Sequence, residues 1–269
     1  MTTAVKDPVD LSIRHFVDAW RTMCAGARGY AEEAVDGVHY VFSGIPIPFF
    51  NVALMTGHDV AAATLSASGQ GACDWASKHG VPWLFVITHE ALDAGTDAGA
   101  ALDACGLAPL MPLTGMIAQH VAPPSNVPPE LQLVHPRSDD GCAAVVDVNG
   151  LAYGMDLEEA KGTIGKQRFW SGHFPALGMA EGTPVSAAAV MMVNGYRYVA
   201  LVATDPAHQR RGYADAVMRH ALELSGQVHG QAPSTLHATA AGRPIYERMG
   251  YATLAEHTVF IEKKFLTGH

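Results

Sequence analysis

The chain of 269 residues has little cysteine, little charge and no long apolar run, and each shortage removes a class of protein. Its four cysteines, Cys24, Cys73, Cys105 and Cys142, stand far apart and form no CxxC pair. They read as small core residues in a reducing cytoplasm, rather than a disulfide framework or a zinc site. Apolar stretches such as Val185 to Val193 are far shorter than the roughly 20 residues needed to cross a bilayer, and the start MTTAVKDPVD has no apolar signal core. A soluble, cytoplasmic protein with no membrane partner is therefore expected. Positive charge is scarce as well: 17 Lys and Arg against 26 Asp and Glu give a formal charge of -9, which argues against nucleic acid as a partner. The fourteen histidines contain neither HExxH nor Cys/His ligand spacing, so no metal is predicted. Gly69-Gln70-Gly71 lacks the last glycine of a dinucleotide fingerprint and reads as a turn.

What the chain does have is apolar material, 49% of its residues, enough for one large core or two smaller ones. The stretch APPSNVPPE, residues 122 to 130, carries four prolines that remove backbone donors and forbid helix or central strand. It is read as a linker between domains 1–125 and 126–269. A faint repeat supports the division. When Gly106 is aligned with Gly250, ALDACGLAPLMPLTGM and IYERMGYATLAEHTVF both read as helix, glycine stop and strand. Upstream, strands at Asn51 to Gly57 and Tyr196 to Thr204 are each followed by a helical stretch. Second strands then come at Pro82 to Thr88 and Thr235 to Thr239. The aromatic, proline-broken HYVFSGIPIPFF, His39 to Phe50, reads as a buried strand pair or a face toward a substrate.

The segment that carries chemistry lies in the second half. Val185 to Val193 and Tyr196 to Thr204 form a β-hairpin around Asn194-Gly195, the pair that best tolerates a type I′ turn. Asp205-Pro206 ends the second strand. Apolar residues at Ala214, Val217, Met218, Ala221 and Leu222 then mark one face of a helix over Tyr213 to Leu224. Between them Gln209, Arg210, Arg211 and Gly212 arrive at a helix N-terminus, where free amides, the helix dipole and two guanidinium groups suit a phosphate. An arginine-rich solvated turn is the plain alternative.

These residues resemble motif A of the GNAT superfamily of N-acetyltransferases, a strand followed by a Gln/Arg-x-x-Gly-x-Gly/Ala loop and a helix. Gln209-Arg210-Arg211-Gly212-Tyr213-Ala214 fits each defined position. The run IYERMGY, Ile245 to Tyr251, is similar to the family's motif B. The resemblance covers Phe174 to Ile261. It implies an α/β (α+β) fold of two tandem GNAT-like acyl-CoA N-acyltransferase domains, with a mixed central sheet flanked by helices. It also implies acetyl-CoA (coenzyme A) as the cofactor. The pyrophosphate would lie on Gln209, Arg210, Arg211, Gly212, Tyr213 and Ala214, and the pantetheine arm along Val202, Ala203 and Thr204. A splay around Val202 would free a backbone N–H for the thioester oxygen. Tyr246 is the implied general acid for the departing thiolate, its other reading being a core tyrosine. Thr239 stands where the family often has an asparagine that contacts the coenzyme. In the first half Leu102 takes the place of Tyr246, and Gly69 and Gly71 echo the phosphate loop with Ser66 where Gln or Arg belongs, so this half is expected to be a degenerate copy.

The expected function is acetyl-CoA dependent N-acetylation of a primary amine, on a small-molecule acceptor, by direct attack in a ternary complex. The alternatives are a non-catalytic acyl-CoA binding or sensor protein, and acetylation of a protein amine. Glu181, His173, Glu256 and His257 are candidates for reaching the cleft, each with a plain reading as an exposed polar residue, and His208 is a candidate phosphate contact or a solvated loop residue. The base, the acceptor and the oligomeric state are left open.

Overall fold

A computed structural model describes residues 7–124 and 128–266. Among the described residues six α-helices and eleven strands follow one another in mixed order. In chain order they begin α1 (Pro8–Cys24), β1 (Ala31–Val35), β2 (Val38–Phe42), β3 (Asn51–Met55), α2 (Ala62–Ser77), β4 (Leu84–Thr88), α3 (Ala98–Asp103) and β5 (Leu107–Ala118). They continue β6 (Gln132–Val134), α4 (Asp139–Tyr153), β7 (Phe174–Ala180), β8 (Thr183–Val193), β9 (Tyr196–Thr204), α5 (Tyr213–His229), β10 (Ser234–Thr239), α6 (Arg243–Arg248) and β11 (Ala252–Glu262).

Contacts divide these elements into two compact units. The first holds the chain up to Met116, with His237–Arg243 and everything from Thr253 on. The second holds Ile117–Leu236 and Pro244–Ala252. This differs from a single cut in the proline-rich segment. The cut expected between 125 and 126 lies outside the described residues, as do the first six residues of the start sequence. The physical reason for the difference is strand pairing. β11, last in the chain, returns to the first unit and runs antiparallel to β4 from His257↔Thr88 to Ile261↔Leu84. The linear order of the chain does not show that partnership.

In the first unit the strand order is β1-β2-β3-β4-β11-β5. Its core gathers Phe42, Trp75, Trp83, Phe85, Leu102, Leu107 and Phe260. His39 to Phe50 is not a strand pair in itself: it contributes most of β2, then a turn and a short 3-10 helix at Pro48–Phe50 that leads into β3, the antiparallel partner of β2. The turn is held by buried Asn51, whose amide donates to the carbonyls of Ile45, Ile47 and Pro82 while its oxygen accepts from the Ser43 and Gly44 amides. Gly69-Gln70-Gly71 is not a turn: it lies inside α2. A Cβ on Gly69 would come within 2.6 Å of Leu102 Cδ2, so the glycine serves close packing between α2 and α3.

In the second unit the order is β10-β9-β8-β7-β6, with β10 represented by Ser234 to Leu236. The β8–β9 hairpin turns at Asn194 and Gly195 with φ of 50° and 79°, as the Asn-Gly pair predicts. Helix α4 buries Val145 and Val148 against Leu177, Ala187 and Ala203 of the sheet. Helix α5 buries Val217, Met218, Ala221 and Leu222. Its approach to β7 is close enough that a Cβ on Gly178 would lie 2.7 Å from Val217 Cγ2.

Candidate functional site

The site begins with an irregularity in β9. Its register with β8 pairs Ala189 with Ala200 and Ala187 with Ala203, so Leu201 and Val202 together face Ala188 across a β-bulge. Leu201 sits at φ 53°, a left-handed conformation that costs a branched side chain energy. On its other side β9 runs parallel to β10 only at Arg197↔Ser234 and Tyr198↔Thr235. Beyond Tyr198 it has no register partner on β10, so the strand that ends Val202-Ala203-Thr204 is bulged on one side and open on the other.

The loop that follows is shaped by its own polar groups. Asp205 accepts from the Ala207 amide at 3.0 Å and pairs with His208 Nδ1 at 2.8 Å. Those two contacts hold its carboxyl below the usual range. His208 is thereby anchored in the turn. The Gln209 amide donates back to the Thr204 carbonyl at 3.3 Å. Arg210 and Gly212 both adopt positive φ, 65° and 81°, and they lead directly into α5. Gly212 is the N-cap of α5, and among the described residues no side chain caps the first turn, which contains Tyr213 and Ala214. Arg210 and Arg211 are exposed. Among the described residues, a Cβ on Gly212 would meet only Pro128 Cγ, at 3.7 Å. The result is a cradle of backbone amides at the positive end of a long helix, flanked by two cations, and it fits a diphosphate. Just beside it, Tyr213 donates to Glu130 at 2.9 Å. The Glu130 carboxyl is held low by its own backbone amide, by that hydroxyl and by Arg211.

Tyr246 lies on α6 and is 9% exposed. Burial first, then the neighbouring phenols of Tyr153 and Tyr251, push its ionisation well above the usual phenol range, so it carries its proton at neutral pH. Tyr198 is shifted upward by burial and by Tyr246. The Tyr251 ring stands 6.0 Å from that of Tyr246, and its hydroxyl contacts Ser234 Oγ at 2.6 Å. Because Ser234 donates its own proton to the Arg197 carbonyl, Tyr251 is the donor in that contact.

Residues 165–265 match the family model of the acetyltransferase (GNAT) domain. This segment is a GNAT domain. Over 93% of its length the chain shares the fold of a GCN5-related N-acetyltransferase from Kribbella flavida, of which it covers 95%, with 16% identity and a TM-score of 0.68. A putative acetyltransferase of the GNAT family from Novosphingobium aromaticivorans aligns over 93% of this chain and 97% of its own, at 15% identity and TM-score 0.53. A tandem GNAT protein from the clavulanic acid biosynthesis pathway aligns over 94% and 92%, at 13% identity and TM-score 0.53. At such identities the likeness is one of fold. No curated protein matches the sequence.

Within the GNAT domain the structure brings together Val202 to Ala214 and places Tyr246 in the same compact unit. Thr239 falls in the other unit, where its hydroxyl accepts from the Gly242 amide at 3.2 Å. Three of the four candidates for a base are engaged by other groups. Glu181 is the exposed corner of the β7–β8 turn, at φ 49°. His173 accepts from the Met192 amide. Glu256 is paired with Arg243 at 3.0 Å and accepts from Thr114. His257 is buried between Ser12 and Thr88. Among the described residues no group of His, Cys, Asp and Glu is arranged for a metal, and no helix is long and apolar enough to cross a membrane. Sequence reasoning missed Asn149 and Tyr153 of α4, which donate to carbonyls of the β9 bulge. The available signal was an amide side chain on the apolar Val145-Val146-Val148 face, a buried polar group that must find a partner.

Proposed function

We propose that this chain is an acetyl-CoA dependent N-acetyltransferase that acetylates a primary amine of a small molecule by direct transfer in a ternary complex. The observation that carries the reading is the junction of β9 and α5. There a strand that is bulged and open on one side ends in a positive-φ, uncapped helix start with Arg210 and Arg211 beside it.

In this reading the amides around Gly212, Tyr213 and Ala214, with Gln209, Arg210 and Arg211, hold the diphosphate of the coenzyme. Val202, Ala203 and Thr204 carry its arm. Acetyl-CoA supplies an activated thioester. The bulge at Val202 presents a backbone N–H where oxyanion charge develops, which is the largest electrostatic contribution such a site can make. Tyr246 retains its proton at neutral pH and delivers it to the sulfur as the thiolate departs. Its upward shift keeps the donor loaded, at the expense of acid strength. Holding both reactants in one site replaces a covalent intermediate with an effectively unimolecular attack. The net negative charge of the chain favours a cationic acceptor by steering.

The first unit is read as a copy of the same fold without this chemistry. Three features support that. β3 and β4 run parallel from Val52↔Leu84 to Leu54↔Val86 with no shift in register. The residues between β3 and α2, Thr56 to Ala61, include no arginine. Leu102 stands where Tyr246 does in the aligned repeat.

The test is release of free thiol from acetyl-CoA in the presence of a panel of primary amines. Amine-dependent release is expected. Coenzyme binding without release from any amine would make the protein an acyl-CoA binding module.

A further inference from the structure

The bulge in β9 does not hold itself. Two side chains one turn apart on α4 reach it. The Asn149 amide, 3% exposed, donates to the Leu201 carbonyl at 3.1 Å and to the Val145 carbonyl at 2.9 Å. The Tyr153 hydroxyl donates to the Val202 carbonyl at 3.1 Å. Consecutive carbonyls of the bulge are thus bound from one helix, at its i and i+4 positions, which share a face. A trans peptide points its N–H opposite to its C=O. Fixing the Leu201 carbonyl on Asn149 therefore directs the Val202 amide away from α4, and fixing the Val202 carbonyl on Tyr153 does the same for Ala203.

Leu201 is held at φ 53°, which leucine rarely adopts and which persists only where surrounding contacts over-determine it. Asn149 and Tyr153 are contacts of that kind. After burial, the Tyr153 phenol also contributes to the upward shift of Tyr246. One side chain therefore holds the strand that would orient the thioester and acts electrostatically on the implied acid.

We propose that Asn149 and Tyr153 are positioning residues that set the direction of the bulge amides, and so the polarisation of the acetyl carbonyl. This rests on the acetyl-transfer reading above. Neither side chain belongs to the phosphate loop, so coenzyme affinity and carbonyl polarisation should separate when they are altered.

The experiment compares wild-type protein with Tyr153→Phe and Asn149→Leu. Tyr153→Phe keeps the ring at a largely exposed position and loses only the hydroxyl, so it remains informative if Asn149→Leu fails to fold. Two quantities are read: CoASH affinity by calorimetry, and the carbonyl stretch of bound acetyl-CoA carrying 13C at the carbonyl. CoASH affinity is expected to stay within about twofold, while the carbonyl band moves back toward its frequency in water and kcat for thiol release falls about tenfold at unchanged KM for acetyl-CoA. A purely structural role would lower affinity and thermal stability together without a selective change in the band. Normal CoASH binding with an unaltered band in Tyr153→Phe overturns this proposal and leaves the acetyl-transfer reading intact. Failure of the wild-type protein to bind CoASH overturns both.

Discussion

Under the proposed function, Gly212 and Tyr246 separate binding from chemistry at the scale of single residues. An alanine at 212 has space, since its nearest neighbour would be Pro128 Cγ at 3.7 Å, but it must adopt φ near 81°. That conformation costs about 1–2 kcal/mol, or a few degrees of Tm in a chain of this length. The added methyl would also stand on the amide cradle. Gly212→Ala is therefore expected to lose CoASH affinity by about tenfold or more while staying folded, as calorimetry and a melting curve would show. Tyr246→Phe is expected to do the reverse. CoASH affinity should hold, and the rate of thiol release should fall about a hundredfold, within the usual range for a general acid. An unchanged rate would assign Tyr246 to packing against Tyr251. The loop from Gln209 to Ala214 and the helix start it leads into were legible in the sequence because they are built from neighbours in the chain. Asn149 and Tyr153 were not, because their partners lie some fifty residues away on β9 and no local pattern connects them.

Among the elements, α1, β4, β10 and β11 share a polar knot in the first unit. Ser12 Oγ lies 3.1 Å from His237 Nε2 and 2.9 Å from His257 Nε2, and Thr88 Oγ1 lies 3.0 Å from His257 Nδ1. Phe16 stacks on His237 at 4.3 Å. Gly115 on β5 makes room, for a Cβ there would sit 2.0 Å from Ser12 Oγ. Ser12→Ala removes the hydroxyl that His237 and His257 share in a buried setting and should cost about 1–3 kcal/mol in a denaturant titration. The same burial sets a pH dependence. Burial lowers His257 to about 3, and burial with a contribution from Arg14 lowers His15 to about 4. His237 is pushed well below its usual value by burial and by its histidine neighbours. Each is neutral when folded, whereas the unfolded chain takes up protons below about pH 6.5. Stability should therefore be full above that pH and decline as pH falls toward 4, with a slope approaching about 1.4 kcal/mol per pH unit for each histidine. Urea midpoints that do not change between pH 7 and 5 would contradict this. None of the knot was legible beforehand, because Ser12 and His257 are 245 residues apart and meet only through the strand order. The hairpin at Asn194-Gly195 and the glycine stops at Gly106 and Gly250 were legible, since each requires positive φ on the spot.

For the molecule as a whole, the return of β11 to the first unit is the feature with the largest consequence. In the order β4-β11-β5, removal of β11 strips both neighbours of a hydrogen-bonded partner and takes Phe260 from the core. A fragment of residues 1–125 should consequently show no cooperative unfolding transition by circular dichroism, despite containing most of that unit. Two alternating α/β halves could be seen in the sequence through strand, helix and glycine order. The closing strand could not, because a mature β11 reads equally well as the end of either half.

The account stands or falls on diphosphate binding at the start of α5. Calorimetric titration of the wild-type chain with CoASH, with pantetheine as the arm lacking the diphosphate, and of the Arg210→Ala/Arg211→Ala variant with CoASH, measures it directly. Clear heat with CoASH is predicted, together with affinity at least about a hundredfold weaker for pantetheine and for the double variant, as expected for lost charge-assisted contacts. No heat with CoASH, or equal affinity for CoASH and pantetheine, would contradict it.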